Sequence, residues 1–115
     1  MVSVKNLISW GVPAFALTFA AIPFAQLSAQ DAAAGDPVAG KAVFDSSVCG
    51  ACHTLAAADA SGPIGPSLDN NPKLTQAFVV GVVTNGAGAM PAYQGQLSEK
   101  EINDVAAYVL SAAAK

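Results

Sequence analysis

Two cysteines and a histidine stand together near the middle of the chain, as Cys49-Gly50-Ala51-Cys52-His53. The string C-x-x-C-H is an attachment motif for covalently bound haem, and its spacing has a physical reason. Thiols three residues apart lie on one side of a helical turn, so both can reach the two vinyl groups of one porphyrin. The histidine that follows is carried to the iron on one face of the ring. Other chemistries use some of the same residues. A structural disulfide suits an exported protein but leaves the adjacent histidine without a role. A structural zinc site needs about four protein ligands, and the chain holds two cysteines and one histidine. A thioredoxin-like redox pair belongs in a βαβ setting, which this sequence does not show.

An iron held by His53 has a second face. Met1 lies at the very start of the chain, so Met90 is the only other methionine and the candidate axial ligand. A lone methionine is otherwise flexible core filler. Its setting is Asn85-Gly86-Ala87-Gly88-Ala89-Met90-Pro91-Ala92-Tyr93. Small residues let the backbone wrap close over a flat ring, and Pro91 stiffens the loop just past the sulfur. A His/Met pair raises the reduction potential. It also leaves no open coordination site, so such an iron passes electrons and does no bond chemistry. Pro66 is either a turn proline or the carbonyl that accepts the other ring N–H of His53, fixing its tautomer.

Helices must position these groups. Asp36 can cap a first helix, with Pro37 at its first position, running through Lys41 and Phe44 toward Ser47. Residues 55–70 carry Gly62-Pro63 and Gly65-Pro66 and read as loop. Asn71-Pro72 repeats the cap-then-proline signal and should open a second helix over about 73–83. The run Phe78-Val79-Val80-Gly81-Val82-Val83 would also pass as a buried strand. Asn85-Gly86 offers the left-handed stop that favours a helix. In the last helix Ser98 and Glu101 form a capping box, Leu97 and Ile102 a staple, and Ile102, Val105, Ala106, Val109 and Leu110 one apolar stripe. Glu99, Glu101 and Asp104 cluster at its start, either for the helix dipole or for docking.

The chain has 115 residues, of which 53% are hydrophobic, enough for one domain. Much of that apolar content is at the front. Residues 1–29 read as an export signal: Lys5, an apolar stretch over 7–25 and a short polar exit ending in Ala29, with Gln30 as the expected mature N-terminus. The stretch nearly reaches the ~20 residues that span a bilayer, so an uncleaved anchor is the alternative; Pro13 and Pro23 interrupt it. Residues 30–115 form the expected domain, outside the cytoplasm. All eight acids fall in it and no basic patch does, which excludes nucleic acid as a partner. Its aromatics are Phe44, Phe78, Tyr93 and Tyr108, a small core that a large apolar group could complete.

These residues resemble the class I cytochromes c. Residues 35–44, followed by the haem motif, are similar to that family's N-terminal helix. Residues 84–110, with Ala89-Met90-Pro91-Ala92-Tyr93, resemble most closely the photosynthetic cytochrome of cyanobacteria and algae that substitutes for plastocyanin, and related small bacterial cytochromes c. The resemblance implies an all-α fold, three to four helices around one covalent haem c, with the N- and C-terminal helices crossing where Gly40 and Phe44 meet Val105 and Tyr108. It implies haem contacts from Cys49, Cys52, His53, Pro66, Leu68 and Met90, the iron being held by His53 and Met90, and it makes the Pro66 carbonyl the partner of the histidine. The implied protein is no enzyme. It is a soluble monomeric electron carrier between a bc-type donor and a terminal oxidase or photosynthetic reaction centre, in periplasm or thylakoid lumen, with no stable membrane insertion once the leader is cut. The alternative is a haem subunit fixed to one exported dehydrogenase. The interval from Pro66 to Met90 is short, so the long middle segment of mitochondrial cytochrome c is absent, and no tryptophan follows the leader.

Overall fold

The computed structural model describes Gly11 and residues 34–113. Apart from Gly11, the expected leader over 1–29 lies outside the described residues, as does the cleavage point before Gln30. Among the described residues three α-helices occur: α1 (Pro37–Ser46), α2 (Gln76–Asn85) and α3 (Glu99–Ala113). Two 3₁₀ turns, Cys49–Ala51 and Ala56–Ala58, and a minimal antiparallel ladder of β1 (Thr54–Leu55) and β2 (Ala60–Ser61) lie between α1 and α2. The all-α expectation holds, with this ladder as a small addition. No described helix is long and apolar enough to cross a membrane.

Local chemistry starts each helix. The Asp36 carboxylate accepts from the N–H groups of Val38 (2.8 Å) and Ala39 (3.4 Å), and Pro37 occupies the first helical position. At α3 the capping box closes in both directions: Ser98 N–H donates to Glu101 Oε2 at 2.8 Å, and Glu101 N–H donates to Ser98 Oγ at 3.2 Å. The 78–83 run is helical, not a strand, and α2 stops at Asn85 with Gly86 at φ +75°. Its start differs from expectation. Asn71 closes a single turn, accepting from Lys73 N–H at 3.0 Å, and the chain then extends. Thr75 caps the helix instead, its hydroxyl accepting from Phe78 N–H at 3.2 Å. The 55–70 loop is likewise more ordered than its glycines and prolines suggest. Thr54 pairs with Ser61 and Leu55 with Ala60. Asp59 turns the ladder in the left-handed conformation (φ +51°), which Asp tolerates better than most residues. Leu55 becomes a fully buried core residue.

The packing centres on α1 against α3. Gly40 sits directly on the backbone of α3: a Cβ there would overlap the Asp104 carbonyl and come within 2.8 Å of Tyr108 Cβ. That close approach seats Phe44 edge-on to Tyr108, ring centroids 5.5 Å apart. Val105, Ala106 and Val109 are buried in the same cluster with Leu55, Leu68 and Val79. Ile102, Val105, Ala106 and Val109 of the expected α3 stripe are buried, and Tyr108 packs on Phe44 as the resemblance implied; Leu110 is only half-buried, while Asp104 is inside, because α1 covers that flank.

Asp104 therefore does not belong to an exposed acidic cluster. It is 2% exposed, and its carboxylate accepts from Asp36 N–H at 2.8 Å and from the Lys100 ammonium at 2.6 Å. It ties the first turn of α1 to α3. Burial pushes the Asp104 carboxyl up, but the Lys100 and Asp36 hydrogen bonds together outweigh it and hold the group below the usual carboxylate range.

Two outcomes follow from this pairing. Gly40→Ala is expected to destabilise by ~3 kcal/mol or more, the top of the overpacking range, because the obstacle is backbone; urea unfolding measures it. Asp104 binds its proton less readily folded than unfolded, so its contribution is in place above about pH 4 and is lost as pH falls through the lower folded value. Asp104→Asn, which keeps an oxygen for Asp36 N–H, is expected to flatten the decline of stability below about pH 4 relative to the unaltered chain.

Candidate functional site

The turn out of α1 sets the motif. Ser47 ends the helix and Val48 takes a left-handed backbone (φ +58°), an outlier for a β-branched residue. Cys49–Ala51 then winds into a 3₁₀ turn, with Cys52 N–H and His53 N–H both donating to the Cys49 carbonyl, at 3.2 and 3.0 Å. Both cysteines are free, half-buried and on the same cavity wall. Burial pushes the Cys49 thiol up from its ordinary value, so it is protonated at neutral pH.

The following loop folds back over the histidine. Gly65 N–H donates to the Cys52 carbonyl at 2.7 Å, and Leu68 N–H to the Thr54 carbonyl at 2.9 Å. Gly65 lies flat on the imidazole, where a Cβ would come within 2.6 Å of His53 Cε1 and 2.8 Å of Nδ1. Next to it His53 Nδ1 meets the Pro66 carbonyl oxygen at 2.8 Å. A carbonyl only accepts, so Nδ1 carries a proton, and Nε2 is the ring nitrogen left to bind a metal.

Met90 reaches the cavity from a separate segment, the loop between α2 and α3. After α2, Gly86 turns with positive φ, where a Cβ would crowd the Met90 carbonyl oxygen at 2.7 Å. Ala87 and Met90 exchange backbone hydrogen bonds of 3.1 and 3.0 Å, a tight loop with Met90 at its end. Tyr93 N–H and Gln94 N–H then donate to the Val83 and Thr84 carbonyls at 2.9 and 3.3 Å, holding the loop's exit to α2.

Between these walls is a cavity of about 560 Å³. Cys49, Cys52, His53, Pro66, Leu68 and Met90 all line it, so every site residue expected from sequence is gathered in one place. The sequence left others unassigned: Ile64, Leu74, Phe78, Val79, Val82 and Val83, with Val105 and Val109 as the floor. For Phe78, Val79, Val82 and Val83 the signal was the apolar run of α2, and for Val105 and Val109 the apolar stripe of α3; no sequence signal marked Ile64 or Leu74. Lys73 is the one Lys, Arg, Asp or Glu side chain among the lining residues.

The residues fit a haem. The cavity is apolar and of a size that takes a large ligand. Two thiols stand on one wall, beside a histidine whose tautomer leaves a nitrogen donor. A thioether sulfur lies in the same lining. Gly65 and Gly86 allow backbone to approach where a side chain would block the ring or the loop. A soft sulfur and an imidazole suit iron in a porphyrin. A zinc centre does not fit: among the described residues no group of three or more His, Cys, Asp or Glu side chains is arranged to hold a metal.

Known proteins agree with this chemistry. Residues 35–109 match the family model described as cytochrome C oxidase, cbb3-type, subunit III. The cytochrome c6 of Synechocystis sp. is 42% identical over 87 residues, covering 73% of this chain and 72% of that protein. That of Leptolyngbya boryana is 42% identical over 83 residues, covering 70% and 96%. Among solved structures, the c-type cytochrome SorU of Sinorhizobium meliloti superposes with a TM-score of 0.61 at 41% identity, over 67% of this chain and 90% of that one. Cytochrome c6 of the diatom Phaeodactylum tricornutum does so with 0.57 at 39%, over 69% and 95%. With the motif, the tautomer-fixing carbonyl and the methionine loop in one cavity, the chain belongs to the cytochrome c family, as a class I domain built for a single c-type haem.

Proposed function

We propose that this protein is a one-electron carrier whose single haem c is joined to Cys49 and Cys52 and held through iron by His53 and Met90. The function rests on one observation: the Cys-x-x-Cys-His turn and the Met90 loop line the same apolar cavity. The bound haem supplies a reversible one-electron change at its iron. Cys49 and Cys52 would hold the haem by thioether bonds, the sulfur and hydrogen of each thiol going to one vinyl group, so that no external oxidant would be needed. Pro66 keeps the Nδ1 proton on His53 and so aims Nε2 at the iron. Leu68, Val79 and Val105 keep water from the ring. Met90, a soft and weakly basic sulfur, favours the reduced state and raises the potential. With His53 and Met90 both holding the iron, no place would be left for substrate, and the chain does no bond chemistry of its own.

Residues 1–29 act as an export signal and residues 30–115 as the working domain, in periplasm or thylakoid lumen. The donor is a bc-type complex; the acceptor is a terminal oxidase or a photosynthetic reaction centre. Encounters of this kind bury little area and turn over quickly. Stoichiometric co-purification with an exported dehydrogenase would replace this assignment by a fixed haem subunit.

The ferric protein is expected to show the weak far-red absorption of methionine sulfur on iron. Met90→Ala should abolish it, lower the reduction potential by more than about 100 mV within the ~0.8 V span that axial ligands command, and admit carbon monoxide to the ferrous protein at neutral pH. An unchanged far-red band would rule Met90 out. Gly65→Ala must push the imidazole or the Pro66 segment aside. A ~1–3 kcal/mol overpacking cost corresponds to a fall of about 5 °C or more in the melting temperature of the haem-loaded protein, read by circular dichroism.

A further inference from the structure

Tyr93 lines the cavity, yet the roles above leave it without one. Its hydroxyl donates to the Ser47 carbonyl oxygen at 3.3 Å, across 46 residues of sequence. That carbonyl is set apart by the left-handed turn at Val48. The nearby backbone donors Ala51 and Cys52 bond to the carbonyls of Val48 and Cys49, at 3.1 and 3.2 Å. The phenol takes the Ser47 oxygen instead. Burial pushes the Tyr93 phenol up from its ordinary value, in keeping with a hydroxyl that stays a donor at neutral pH. The backbone of Tyr93 is held as well. Its N–H donates to Val83 at 2.9 Å, and its carbonyl accepts from Gln96 and Leu97, both at 2.9 Å. One residue thus joins the end of α2, the approach to α3 and the segment that leads into Cys49.

We infer that Tyr93 is the positioning residue for Met90: its hydroxyl ties the methionine loop to the Ser47 end of the Cys49–Cys52 segment and so governs how firmly Met90 holds the iron. This rests on Met90 being the ligand. Only Pro91 and Ala92 separate the two residues, and Pro91 has a fixed φ. Little slack remains, so a shift at Tyr93 reaches Met90. The Ala87–Met90 pair holds the other side of the loop. Without the phenol tie the loop keeps its backbone bonds to α2 and to the approach to α3 but loses its hydrogen bond to the Ser47 segment, and the methionine yields more readily to an outside ligand.

The test uses the full-length, haem-loaded protein with Tyr93→Phe, which keeps the ring and removes the hydroxyl. Cyanide binding to the ferric form is titrated, with the far-red band and urea unfolding recorded alongside. Loss of one net hydrogen bond should raise cyanide affinity by about threefold to tenfold. Gln76→Ala provides the contrast, removing the bond from Gln76 Nε2 to the Asn103 carbonyl (3.0 Å) that ties α2 to α3. It should lower the urea midpoint and leave cyanide affinity unchanged. Unchanged cyanide affinity in Tyr93→Phe, or an equal rise in both variants, would overturn the role of Tyr93. If the unaltered ferric protein lacks the far-red band and Met90→Ala leaves cyanide binding as it was, Met90 is not the ligand and Tyr93 has nothing to position.

Discussion

At Gly40 two helix backbones come too close for any side chain to fit between them, and most of the site follows from that contact. With no side chain in the way, α1 settles on Asp104 and Tyr108 of α3, and the buried Asp104 carboxylate locks the start of α1 in place. Phe44, one turn further on, is thereby fixed between Tyr108 and the cavity. The end of α1 then fixes where the Cys49 turn begins. On the other helix the same contact leaves Val105 and Val109 facing the cavity as its floor. The motif and the floor are thus placed by one constraint, before any ligand is considered.

The rest of the site is built from loops, yet each is held through backbone groups. His53 is oriented by a backbone carbonyl and covered by a glycine. Met90 sits at the end of a loop closed by reciprocal backbone bonds and hung from α2. Such positions depend little on side-chain entropy and resist small shifts, which suits a centre that must change charge with little rearrangement. The apolar face of α2 supplies surface rather than ligands. Phe44, Leu68, Val79, Val105 and Val109 belong both to the buried core and to the cavity lining, so the protein's own core and the haem pocket are one continuous apolar body. For a domain this small, a covalent apolar group is part of the fold's stability as well as of its function.

Much of this was legible in the chain. The Cys-x-x-Cys-His string, the single histidine and the methionine in a glycine-rich loop named the chemistry. Asp36-Pro37 and the Ser98–Glu101 box marked two helix starts, because capping is a local interaction between residues a few positions apart. Where local signals met tertiary demands, they misled. Asn71-Pro72 closes a turn as its chemistry dictates, but Leu74 is drawn to the cavity wall and Thr75 caps instead. Residues 55–70 look like plain loop, yet Leu55 is fully buried by a ladder of two residue pairs, too short to leave a period. Asp104 reads as one of three acids on a helix end; only the approach of α1 makes it a buried partner for Asp36. Pro66 was ambiguous as a sequence feature, since a carbonyl's partner cannot be seen without the fold. The leader over 1–29, read from composition alone, falls outside the described residues apart from Gly11.

The most direct measurement is the intact mass and reduced spectrum of the exported protein after denaturation and acid–acetone extraction, which removes haem that is not covalently attached. The account predicts the mass of the chain plus one haem, a sharp reduced band of c type that survives extraction, and loss of both in a Cys49→Ser, Cys52→Ser double variant. A mass equal to the bare chain, with the two cysteines present as thiols or joined to each other, would contradict it.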